Sequence, residues 1–167
     1  MRIFKHNHFI MLILLWSTIA WADNHHPHGI IIDGTIDSKQ FQELQGPDYQ
    51  IIAEHGEIKG NNLFHSFQKF NIYKNEQVTF YGPDNIQNII SRVTGNEHSW
   101  IDGRIQSIIP DADIFLLNPN GVFFGPNVFL DVQGSFHVST FDFVGFPDQT
   151  NFETTTKSTI LSSAAAR

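Results

Sequence analysis

The chain has 167 residues, enough for one domain, and 41% of them are hydrophobic, enough to form a core. It contains no cysteine, which excludes disulfides and thiolate metal sites. A formal charge of −7 argues against nucleic acid or anionic lipid as an electrostatic partner.

The first 22 residues read as a signal peptide. Arg2 and Lys5 precede a nearly apolar run at 9–20. That run has 12 residues, whereas a membrane-spanning helix needs about 20. Ala20-Trp21-Ala22 has the small-x-small form of a cleavage site, placing the cut between Ala22 and Asp23. Cleavage would remove two bases and no acids, so 8 bases against 17 acids leave −9. Residues 23–28 then form a flexible new N-terminus. Its His25, His26 and His28 make incidental metal contacts at most, and no metal or cofactor site is assigned.

From Gly29 the chain reads as many short strands separated by turn residues. Ile30-Ile31-Ile32 runs into Asp33-Gly34, and Val78-Thr79-Phe80-Tyr81 ends at Gly82-Pro83. Phe64, Phe67 and Phe70 recur every three residues, which predicts a bend or a turn of helix there. Ile86, Ile89, Ile90 and Val93 are likewise spaced more like a helical turn than a strand. Further apolar runs cover 105–109, 112–117, 122–124, 128–132 and 135–140. The set predicts an all-β domain. The pattern divides evenly between a solenoid and a sandwich or barrel, because the segments are short but no strict period emerges.

Two segments stand out as candidates. Asn118-Pro119-Asn120-Gly121 joins two apolar strands and has type I turn chemistry: an Asn to cap the turn, a Pro with φ already set, and a Gly to leave it. Asn62-Leu63-Phe64-His65-Ser66-Phe67 puts a His beside a Ser. In a strand these two point to opposite faces, so they do not form a nucleophile and its base. Asp111 and Asp113 would share a strand face if the chain is extended there, but they flank a turn, an ordinary place for Asp. With no catalytic constellation visible, the chain reads as a non-enzyme.

Taken in order, Asp33-Gly34-Thr35-Ile36, Asn62 to Phe67, Ser91-Arg92-Val93-Thr94-Gly95, Ile101-Asp102-Gly103 and Leu116-Leu117-Asn118-Pro119-Asn120-Gly121-Val122 resemble the filamentous haemagglutinin N-terminal domain, or two-partner secretion domain, of large bacterial exoproteins and adhesins. The resemblance covers 29–140. It implies a right-handed parallel β-helix, a single-stranded pectin-lyase-like solenoid, with an N-terminal cap and short extra hairpins. It also implies a route: the Sec machinery, the periplasm of a Gram-negative-type bacterium, then a partner outer-membrane β-barrel transporter with periplasmic recognition modules. The domain would be secreted or held at the cell surface, where it would template the coils that follow. A host or cell-surface ligand would belong to any cargo. The residues Asn62 to Phe67 and Asn118 to Gly121 would serve transporter recognition, folding, or both. The Asn118 turn matches one family signature, while the other, Asn-Pro-Asn-Leu, does not occur. Residues 141–167 read as a weakly patterned Ser/Thr/Ala-rich tail, expected to be truncated or loosely packed. Two other readings stay open: a stand-alone surface adhesin or matrix protein, and a β-helical polysaccharide-active enzyme.

Overall fold

The computed structural model describes residues 29–36 and 41–154. Short strands dominate, with one 3-10 turn at Ala53–His55. In chain order, β1 (Gly29–Ile32) and β2 (Gln42–Glu43) form an antiparallel N-terminal piece. The first coil holds β3 (Asp48–Ile51), β4 (Glu57–Lys59) and β5 (Asn62–Asn71). The second holds β6 (Gln77–Phe80), β7 (Asn88–Val93) and β8 (Ser99–Ile101). The third holds β9 (Arg104–Ser107), β10 (Asp113–Leu117) and β11 (Val122–Phe124). A fourth, partial coil holds β12 (Phe129–Asp131) and β13 (Phe136–Ser139). A hairpin of β14 (Phe143–Gly145) and β15 (Asn151–Glu153) follows.

Equivalent strands stack in parallel from coil to coil. One sheet runs β3-β6-β9-β12, a second carries β5-β7-β10-β13, and a third pairs β8 with β11. A parallel bridge between Ile72 and Ile101 extends the third sheet to the first coil. The protein is therefore a parallel β-helix of about four coils.

Its interior is built of columns fixed by this register. Tyr49, Val78, Ile105 and Leu130 lie above one another, as do Leu63, Ile89, Ile114 and Phe136. Each fully buried aliphatic side chain contributes about 1.5–3 kcal/mol. The first three members of both columns are buried, but burial fails at the last coil: Leu130 is 42% exposed, and Val138, stacked on Leu116, is 39% exposed.

Both stretches with helix-like spacing are strands. In β7 every residue is buried, with Ile89 and Val93 in the interior cluster and Ile90 in a second cluster on the outer face. A strand covered on both sides shows no polar alternation to read. In β5, Phe64 faces outward and Phe67 inward, as odd spacing requires. A shift in the pairing with β1, where Ile31 faces Lys69 and Ile32 faces Phe67, skips Gln68 and returns Phe70 to the interior. The expected bend is thus a β-bulge, not a helical turn.

The two ends differ in the β5-β7-β10-β13 sheet, whereas in the β3-β6-β9-β12 sheet both terminal strands have unpaired outer edges among the described residues. The leading edge of β5 is covered by β4 over its first half and β1 over its second, both antiparallel. Among the described residues nothing pairs with the trailing edges of β12 and β13. Open edges invite further strand pairing, whereas covered ones resist it.

The outer face of the β5-β7-β10 sheet is also covered. Phe64, Ile90 and Leu117 sit beneath Val144, Phe146 and Phe152 of the hairpin. Phe152 meets Phe64 edge-on at 5.0 Å.

A contrasting contact lies on the β9-β12 side, where Arg104 pairs with Asp131 of the next coil and its guanidinium lies over the Phe129 ring. Both partners of the ion pair are about two-fifths exposed. Arg104→Met should therefore lower stability by less than about 1 kcal/mol, read as a small shift in the urea midpoint at unchanged slope.

Candidate functional site: the stacked turns at Asn118

The turn between β10 and β11 lies at a corner of the solenoid. The Gly121 N–H donates to the Asn118 carbonyl at 3.0 Å, closing a four-residue turn. Gly121 has φ of +106°, a conformation that other residues rarely adopt. Asn118 is wholly buried. Its Oδ1 accepts the Asn120 N–H at 3.0 Å, and its Nδ2 donates to the Glu97 carbonyl at 3.1 Å and Ser99 Oγ at 3.0 Å. Its own N–H donates to the Ser139 carbonyl at 3.0 Å. Asn118 thus ties the third coil to the second and the fourth.

Asn120 is exposed, yet its Nδ2 donates to the Gly95 carbonyl at 2.8 Å. Gly95 in turn lies against the first coil. A Cβ there would fall 2.0 Å from the Gln68 carbonyl oxygen, so close backbone approach requires glycine at this corner. Pro119 is partly exposed, and a cleft of about 360 Å³ lined by Ile31, Gln68, Lys69, Gly95, Asn96 and Glu97 lies near Gly95.

The other candidate segment lies two sheet positions from β10, in β5. Leu63 and Phe67 are interior, and His65 is wholly buried beside the Phe67 and Phe80 rings, each 5.9 Å away. Neither His65 ring nitrogen has a partner of hydrogen-bond geometry among the described residues. Burial pushes its pKa down to about 3. The His55 ring adds to that shift, and a weaker interaction with the His55 backbone opposes it. Asn62 Oδ1 accepts from Asn88 Nδ2 of the next coil at 2.8 Å. Ser66 is buried on the opposite side of the strand from His65, so the two form no catalytic pair. Asp111 has φ of +53° in the turn before β10, and Asp113 accepts the Ser135 N–H at 2.7 Å; they do not share a strand.

A family model for the TPS secretion domain matches residues 28–165. The chain belongs to the TPS secretion domain family. Comparison with curated proteins and with solved structures gave no match.

Within this TPS domain, segments far apart in sequence meet at one polar cluster, in which Ser66 and Arg92 are buried and Asp33, Thr35 and Thr94 partly so. Asp33 Oδ2 accepts from Ser66 Oγ and Thr94 Oγ1, each at 2.6 Å, and Asp33 Oδ1 accepts from Thr35 Oγ1 at 2.7 Å. Arg92 donates through Nε to Ser66 Oγ at 2.8 Å and through a terminal nitrogen to Thr35 Oγ1 at 2.9 Å. Burial pulls the Arg92 pKa down, while the Asp33 and Glu153 charges pull it up. Asp102 plays a similar structural part at another corner, accepting from the Asn127 N–H at 2.8 Å and from its side-chain amide. Sequence reasoning placed Asp33, Arg92, Thr94 and Asp102 in family motifs without assigning them these contacts. A buried-side signal was present only in the fully apolar flanks of Ser91-Arg92. The proposed cleavage residues Ala22 and Asp23, and His25, His26 and His28, lie outside the described residues.

Proposed function

We propose that this TPS domain is the export-targeting and fold-nucleating part of a two-partner secretion exoprotein. The family as a whole consists of exported proteins that work with an outer-membrane transporter. The observation that carries the finer reading is the polarity of the β5-β7-β10-β13 sheet: its first strand, β5, is covered by β1 and β4, and its last, β13, is open among the described residues. A chain that emerges N-terminus first and stacks outward needs that order, because each completed coil offers an edge to the next. Sec export, passage through the periplasm and folding at the cell surface complete the proposed route. The residues read by the transporter would lie in the Asn62 to Phe67 and Asn118 to Gly121 segments, in the unfolded chain. In the folded domain most of these residues are buried.

The decisive experiment expresses the chain with and without its cognate transporter and measures it in medium and periplasm separately. Transporter-dependent appearance in the medium supports the proposal. Equal release without the transporter, or periplasmic retention in both strains, would exclude it.

A further inference from the structure

Contacts in a solenoid are mostly between neighbouring coils. Here equivalent residues in adjacent coils lie 22 to 29 positions apart, as in Ile114 to Phe136 and Asp48 to Gln77. The β14-β15 hairpin breaks that rule. It leaves the last coil and returns over the outer face, placing Phe152 against Phe64 of the first coil. It also covers Ile90 of the second coil and Leu117 of the third. Contacts of such long sequence separation form only after the intervening chain is ordered.

At the centre of this interface lies Arg92, a wholly buried cation. Among the described residues its shell draws on three places. Thr35 belongs to the N-terminal piece, Ser66 to the first coil, and Phe152 and Glu153 to the hairpin. The Glu153 carbonyl accepts from Nη1, and the guanidinium carbon lies 4.5 Å from the Phe152 ring centre. Without the hairpin, the guanidinium would lose the Glu153 carbonyl and the Phe152 ring. With the hairpin docked, the cation is sealed, and its burial is tolerable only because hydrogen-bond acceptors and a π-face are already in place. The same cation bonds Thr35, which together with Asp33 ties the N-terminal piece to Ser66 and Thr94.

We infer that the β14-β15 hairpin is a folding latch: it docks last on stacked coils, opens first, and through Arg92 locks the N-terminal piece onto the second coil. Folding of the domain is therefore complete only once the chain as far as Thr154 is available. The latch is a property of folding and operates with or without a transporter.

Native-state hydrogen exchange on the purified full chain tests it. In the wild type, the hairpin amides of Phe146 and Thr154 and the Asp33 amide, bonded to the Ser66 carbonyl, should exchange at least ~10-fold faster than β7 amides. The three should share one denaturant dependence, shallower than that of global unfolding. Arg92→Met and Phe152→Ser should each speed exchange of this same set by a further ~10-fold or more while β7 stays protected. Wild-type hairpin amides as protected as those of β7 would overturn the latch. So would protection lost equally across β7 and β10 in the Phe152 variant, or an Asp33 amide indifferent to Arg92→Met. If neither variant folds, the wild-type exchange pattern decides by itself.

Discussion

Lowering the pH from 7 to 4 should cost the folded domain on the order of 3 kcal/mol through His65 alone. The ring is held near a pKa of about 3 in the fold, against an ordinary value of 6.5. Between those values the unfolded chain binds a proton that the folded one does not. The stability that this neutral, buried ring contributes is present above pH 6.5 and is lost as pH falls toward 3, at about 1.4 kcal/mol per pH unit. Burial is the main cause: His65 lies inside the first coil, and a Cβ on Gly56 would fall 2.7 Å from its Nδ1. Urea unfolding of wild type and His65→Leu at pH 7 and pH 4 checks the assignment. The wild type should lose more stability than the variant by the amount above. Equal losses in the two proteins would show that some other group carries the acid response.

Asn118→Ala should destabilise the domain by about 3 kcal/mol, because it strips partners from the Glu97 carbonyl, the Ser99 hydroxyl and the Asn120 N–H at a buried corner. Asn120→Ala should cost only about 1 kcal/mol, since it loses a solvent-accessible bond to the Gly95 carbonyl and a long one, at 3.4 Å, to Asn118 Oδ1. The pair separates folding from recognition. Equilibrium unfolding gives the two stabilities, and transporter-dependent secretion is measured for the same variants. If secretion follows stability, Asn118 will be the more defective. If the transporter reads the turn in the unfolded chain, Asn120→Ala should reduce secretion more than its small stability loss predicts. Unchanged export of a normally folded Asn120 variant would remove that residue from the recognition set.

The parts of this fold that were legible in the sequence are those governed by local chemistry. Asn118 to Gly121 could be read as a turn because the capping amide, the proline and the exit glycine all act within four residues. The parallel arrangement was not legible from pattern alone. The stacking of Val78 on Tyr49 or Ile89 on Leu63 leaves no mark shorter than one coil, and coils of unequal length blur the repeat. The family resemblance resolved that choice. β7 looked helical because both its faces are covered, a fact that only its neighbours reveal. The β14-β15 hairpin was the least visible. Val144, Phe146 and Phe152 lie among exposed polar residues, and their burial depends on partners such as Phe64 and Ile90, many tens of residues away. The part played by Arg92 likewise emerges only when Thr35, Ser66 and Glu153 are brought around it.

The connections from the β3-β6-β9-β12 sheet into the β5-β7-β10-β13 sheet occupy residues 52–61, 81–87, 108–112 and 132–135, shortening from ten residues to seven, five and four. At the corner of Gln68, Gly95 and Asn120 the coils instead pack closely, with backbones that touch through a glycine. The column of connections that shortens from ten residues to four accepts length change away from the glycine contact. In the second coil, Pro83, Asp84 and Asn85 are exposed within that column. An epitope or fluorophore inserted at Asp84 would extend a loop that already varies between coils and leave the stacked corner alone, giving a tag by which the emerging chain can be followed.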